Sequence, residues 1–183
     1  MALRARVEDS PEAVESLLRE RGMTDGLPVV PPTPERVDAM LRGAGGPPER
    51  SLGEVPPLNA PATLEKVAVN AVMAGCEPSY MPVLIAALEA FLDPVMNAHA
   101  IQTTTNPVGP MILVNGPVRQ RIALNSGAGC FGPGTRANAT IGRALRLSLI
   151  NLGGAAPGAV DKAPLGWPGK YNSCCIGENE EES

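Results

Sequence analysis

The sequence predicts an α/β (or α+β) fold: a single domain of short strands with buried helices and an extended Pro-rich N-terminal arm. Three observations carry that expectation. Residues 62–74 and 79–92 repeat apolar side chains at helical spacing around much of the circumference. MILVN at 111–115 and HAIQTTT at 99–105 have the β-branched composition of strands. A glycine-rich loop at 127–134 runs directly into a long helical stretch, and strands mixed with buried helices define this class.

The elements follow in order. Ser10 is an N-cap, Pro11 suits a first helical turn, Glu12 favours its positive end and Gly22 stops it. Val14, Leu17 and Leu18 form one apolar stripe on that helix. Asp25-Gly26 marks a turn, LPVVPP is extended, and Thr33-Pro34-Glu35 begins a second short helix. Residues 43–61, GAGGPPERSLGEVPPLNAP, read as an irregular surface wrap. Leu64, Val67, Ala71 and Val72 then define a buried helix that Gly75 ends. Met81, Leu84, Ile85, Leu88 and Phe91 define the next, closed by Asp93-Pro94. HAIQTTT and MILVN read as strands, and the last long helix begins at Thr135-Arg136 and ends at Gly153-Gly154. The organisation expected is an N-terminal helix and Pro/Gly-rich arm at 1–61, an α/β core at 62–173, and a Cys-Cys and acidic tail at 174–183.

Composition excludes several functions. The 183 residues are 44% hydrophobic but only 3% aromatic, so an aliphatic core is expected. With a net charge of −4 and no basic stripe, nucleic-acid binding is not expected. MALRARVEDSPEAV lacks the apolar run of a signal peptide, and PVLIAALEAFL is too short to cross a bilayer. A cytoplasmic location is therefore expected, with no membrane partner. There, four cysteines are free, metal-bound or catalytic more often than disulfide-bonded.

Two regions are candidates for chemistry. In SGAGCFGPG, glycines such as Gly132 and Gly134 let backbone approach a ligand, and a helix start attracts anions. Arg136, Asn138 and, seven residues on along the same helical face, Arg143 would complete a corner for a carboxylate or phosphate. The spacing matches neither nucleotide fingerprint, and glycines that serve backbone geometry alone explain the loop equally well. Cys130 sits in that loop, either as an inert thiol or as one activated by the helix start. Asn106, Asn115 and Asn125 could orient a substrate.

The second region is thiol-rich. Cys174 and Cys175 are adjacent, which strains a disulfide between them. Each could ligate a metal, pair elsewhere or exchange disulfides. Cys76 follows a helix C-terminus, where the dipole disfavours a thiolate, so a structural or metal-ligand role suits it better. His99 is the single histidine and could act as base or ligand, or as a hydrogen-bonded residue at a strand edge. Cys76, Cys174 and Cys175 are the candidate metal ligands, with zinc or iron as the metal, although no CxxC supports a motif. Among the carboxylates, Glu178, Glu180, Glu181 and Glu182 read as a solvated run, and Asp25, Glu65 and Glu89 as better candidates for buried acids, with Glu89 expected to reach solvent or a cap.

Four stretches, TDGLPVVPPTPERV, AVNAVMAGCEPSYMPV, RANATIGRALRL and PGKYNSCCIGENEEES, together resemble a poorly characterised bacterial family that carries the UGSC-type (seleno)protein label. The resemblance covers most of residues 20–183 and is to the family's N-terminal half. It implies a cytosolic protein in which Cys76 and the terminal cysteines belong to the pattern. It also implies that similar chains continue with a second domain-sized segment, which here is either a separate polypeptide, as in a hetero-oligomer, or a continuation that has been cut away. The doubled Cys174-Cys175 blurs which position matches a reactive selenocysteine.

Three functional expectations result. The first is a subunit of a cysteine-dependent enzyme that contains a transition metal or uses a bare thiolate. Its reaction would be of lyase, hydrolase or hydratase type on a small polar or anionic substrate, with the site shared with a partner chain in a hetero-oligomer. Cys175, Cys174 and His99 would be catalytic, and Gly132, Gly134, Arg136 and Asn138 would bind substrate. The second is a thiol-disulfide redox protein. The third is a non-catalytic scaffold subunit.

Overall fold

Local capping chemistry starts the fold where the sequence places it. In this computed structural model, which describes residues 5–8 and 10–182, Ser10 Oγ accepts the Ala13 N–H and Pro11 opens helix α1 (Pro11–Glu20). Residues 1–4, at the head of the stretch without a signal-peptide run, lie outside the described residues. An extended arm follows and is tied down by the Val30 N–H to the Met73 carbonyl at 3.2 Å. Helix α2 (Pro34–Ala44) buries Val37 and Met40.

Residues 43–61 are not an irregular wrap. Strands β1 (Ser51–Val55) and β2 (Ala60–Thr63) form an antiparallel hairpin. Its strands are short and proline-flanked, so they carry little periodic signal. Burial decides their state: Leu52, Val55 and Ala62 enter the core.

Helix α3 (Leu64–Ala74) is capped by the Thr63 hydroxyl and ends at Gly75 in the left-handed region (φ 89°). A 3₁₀ turn, Pro78–Tyr80, leads into α4 (Met81–Leu92). HAIQTTT is also a correction, because it forms helix α5 (Ala98–Thr103) and not a strand. Asn97 caps it through Oδ1 to the Ala100 N–H, and the Thr103 hydroxyl donates to the His99 carbonyl. Buried Gln102 then anchors the helix to the Pro56 carbonyl. Those contacts outweigh the strand preference of the threonines.

The expected strand at 111–115 forms as β3 (Ile112–Val114). After the short turn α6 (Val118–Arg121) come the long helix α7 (Arg136–Asn151), the turn α8 (Gly169–Asn172) and strand β4 (Cys175–Gly177). β3 and β4 pair in parallel, Ile112 against Cys175 and Val114 against Gly177. The result is a mixed α/β single domain with two small two-stranded sheets, as the sequence predicts.

Helix α7 is the axis. Ile141, Ala144 and Leu147 are fully buried, and α3, α4, α8 and β4 pack around it. The core also takes in Val37, Met40, Leu52 and Val55 from the arm region and Cys175 from the tail, so it is not confined to 62–173. The acidic tail is not simply solvated. Glu180 and Glu181 bond Arg119 at 3.0 and 2.6 Å. Those contacts hold the Glu181 carboxyl below its usual range, chiefly through the Arg119 hydrogen bond. Among the described residues, no single helix is long and apolar enough to cross a membrane.

Candidate thiol site at the start of helix α7

Each cysteine is brought to α7 by a different local device. The left-handed Gly75 turns the chain so that Cys76 leaves α3 facing α7, and its thiol donates to the Thr140 carbonyl at 3.3 Å. Cys130 lies in the glycine loop, half-buried, and its carbonyl accepts from Asn138 Nδ2 at 3.1 Å. Cys174 and Cys175 arrive with β4, which packs on α7. The approach there is close: a Cβ on Gly142 would stand 1.7 Å from the Asn172 carbonyl oxygen and 3.0 Å from that of Ser173. The Cys76 thiol thus reaches Thr140, Cys130 is tied to Asn138 by its backbone carbonyl, and the Asn172–Ser173 backbone that leads to Cys174 and Cys175 packs on Gly142.

Their environments differ. Burial pushes the Cys76 thiol from its ordinary 9.0 up to about 12, against weaker opposing pulls from Thr140, Arg136 and Arg143. Burial pushes Cys175 up to about 12 as well, and the neighbouring Cys76 adds to that rise. Both thiols are therefore protonated at neutral pH. Cys174 is half-buried, with Asn172 Oδ1 3.4 Å from its N and 3.8 Å from its Sγ. Ser173 between them adopts φ 43°, and its buried hydroxyl has no partner among the described residues.

The glycine loop does not present its expected ligand groups freely. Buried Asn138 accepts the Asn125 N–H at 2.9 Å and donates to the Asn125 and Cys130 carbonyls, so its amide holds the loop closed. Gly132 and Gly134 are exposed, and Gly132 N–H turns back to the Gly129 carbonyl. Arg136 binds the Gly75 carbonyl and Glu77, and Arg143 binds Asp25 with two bonds of 2.7 and 2.9 Å. The corner expected to take an anion is already answered by the protein's own carboxylates. Asp25 is the buried acid the sequence anticipates, whereas Glu89 pairs with Arg50 at the surface.

His99 is not brought to the thiols. It lies exposed on α5, whose Gln102 packs beside Gly153 beyond the far end of α7. Roughly 20 Å of helix separates Gly153 from Thr140. Among the described residues, no group of three or more His, Cys, Asp or Glu side chains is placed to hold a metal ion.

Sequence reasoning missed a buried ionic network near the same end of the fold. Asp161 receives Arg146 Nη2 at 3.0 Å and Lys170 Nζ at 2.5 Å, with all three side chains at most 10% exposed. Burial lowers the pKa of Arg146, and Asp161 opposes that fall. An arginine inside the apolar run RALRLSLIN was the available signal, but nothing local marks Asp161 as its partner. No protein-family model, curated protein or solved structure matches this chain.

Proposed function

We propose that the chain is a subunit of a cysteine-dependent enzyme whose reacting thiol is Cys174. The observation that carries this reading is that three separate cysteine-bearing segments of the chain pack against residues 138–142 of α7. Cys174 is the reactive member because it is partly accessible, whereas Cys76 and Cys175 are buried and protonated. The substrate class is small and polar or anionic, and the reaction is of lyase, hydrolase or hydratase type. A second subunit completes the site, since the nearby cations Arg136 and Arg143 are paired internally and His99 is remote. A metal-dependent version, with zinc or iron on Cys174, needs further ligands from that subunit.

Labelling with bromoacetate, a small anionic electrophile, tests the reading. Cys174 should alkylate faster in the folded chain than in urea, as read by peptide mass spectrometry, and Cys130→Ser should leave that rate unchanged. Slower labelling of Cys174 in the folded state would overturn it. A second reading, disulfide exchange, is favoured by the closeness of Cys76 to Cys175. Hydrogen peroxide would take two electrons and two protons from a thiol pair, leaving one disulfide and two waters. Four free thiols after that treatment exclude this second reading.

A further inference from the structure

A concavity lies on the far side of β3 from the β4 strand that carries Cys175. It is a groove of about 610 Å³ between α4 and β3, with Arg121 of α6 at its rim. Ala86 and Ala90 line the α4 side, both exposed, and their small side chains keep that wall low. Met96, Met111 and Leu113 are exposed around it, the last two by more than half. This apolar face of α4 is left open, whereas Met81, Leu84, Ile85 and Leu88 of the same helix are buried in the core.

The second observation is an unpaired strand edge. In the parallel register, Ile112 and Val114 bond to β4: Ile112 N–H donates to the Cys174 carbonyl, and Val114 C=O accepts from Glu178. Successive residues of a strand point their backbone groups to opposite sides. The N–H and C=O of Leu113 therefore face away from β4, along the groove. The outer edge of β4 is satisfied differently, through Gly177 N–H to the Asn125 carbonyl. The outer edge of β3 is open at Leu113, and such edges template another strand.

Charge selects the occupant. No carboxylate lines the groove, and the Arg121 guanidinium is exposed with no partner among the described residues. A second copy of the chain docked edge to edge would set one arginine-bearing groove against another with no acid to answer either. An extended segment with a carboxylate would answer it.

We propose that the α4/β3 groove binds an extended, acid-bearing segment of a partner protein, which adds a strand to β3 at Leu113 and sets its carboxylate on Arg121. Alternate side chains of that segment would enter the apolar groove, and the others would face solvent. This surface adjoins the thiol segment through the Ile112 N–H bond to the Cys174 carbonyl, but it uses none of the thiols.

The test selects short random peptides by phage display on the whole chain, then measures a synthetic copy of the selected peptide by fluorescence polarisation. The expected peptides alternate apolar residues and carry Asp or Glu. Arg121→Glu should weaken them by about tenfold and shift selection towards Lys and Arg. Ala86→Trp should fill the groove and abolish binding. Both positions are exposed, so neither variant perturbs the core. Amide hydrogen exchange at Leu113 should slow when the peptide is bound. Three results would each overturn the proposal: no peptide selected, peptides indifferent to Ala86→Trp, or a concentration-dependent dimer that protects Leu113 without peptide.

Discussion

Gly142→Ala is the sharpest probe of the α7 site, because local and tertiary physics give opposite signs there. Alanine is the better helix former by roughly 1 kcal/mol, so a free helix face would gain stability. Gly142 is not on a free face. Its added Cβ would lie 1.7 Å from the Asn172 carbonyl oxygen, a backbone atom with no rotamer to change. Ordinary contact needs roughly 3.5 Å, so the 172–175 segment must retreat by about 1.8 Å. That retreat pulls on the 2.8 Å bond from Ile112 N–H to the Cys174 carbonyl and so on the β3–β4 pairing. Overpacking of this kind costs about 1–3 kcal/mol, and a lost hydrogen bond adds about 1 kcal/mol. The net expectation is destabilisation of about 2 kcal/mol. For a chain of this size that lowers Tm by ~4–8 °C in a thermal melt followed by circular dichroism. Cys175, now 2% exposed, should also label faster with a maleimide. A variant as stable as the wild type, or more so, would refute the close packing of the 172–175 segment on α7.

Other outcomes follow from the same contacts. Asp161→Ala leaves Arg146 and Lys170 buried together without their anion, so urea denaturation should register a loss of about 3–5 kcal/mol. A loss below about 1 kcal/mol would mean that water already screens the network. Arg143→Ala strands the carboxylate of Asp25, whose side chain is 4% exposed, and should release the 23–30 arm. Trypsin should then cut faster after Arg21, and an unchanged rate would show that the arm is held elsewhere. Cys76 and Cys175 are raised in the fold from 9.0 to about 12. Their contribution to stability is complete below about pH 9 and is lost as pH climbs towards 12. Tyr80, also raised by burial, acts in the same direction. A Cys175→Ala variant should show a shallower alkaline loss of stability than the wild type, and an identical pH profile would place that thiol in water.

Much of the helical frame is legible in the residues alone. Ser10, Pro11, Gly75 and Asp93 act within a turn of their own position, so caps and stops survive without knowledge of the rest of the chain. The same holds for MILVN, whose strand character needs no partner to be recognised. HAIQTTT misleads for the complementary reason. Its threonines favour a strand, but Asn97 and the distant Pro56 carbonyl outvote them. The 51–63 hairpin is likewise made by burial of Leu52, Val55 and Ala62, which no local pattern announces.

The site divides in the same way. The residue types that could react, the cysteines beside a glycine loop and a helix start, are visible as letters. Which of them meet depends on contacts across long stretches of chain. Cys76 reaches Thr140 across 64 residues, whereas His99 is carried to the other end of α7. Arg136 and Arg143 look free in the sequence, yet they are claimed by Glu77 and Asp25, 59 and 118 positions away. Charge, burial and pKa are set by such neighbours, and neighbours distant in sequence exist only once the chain has packed.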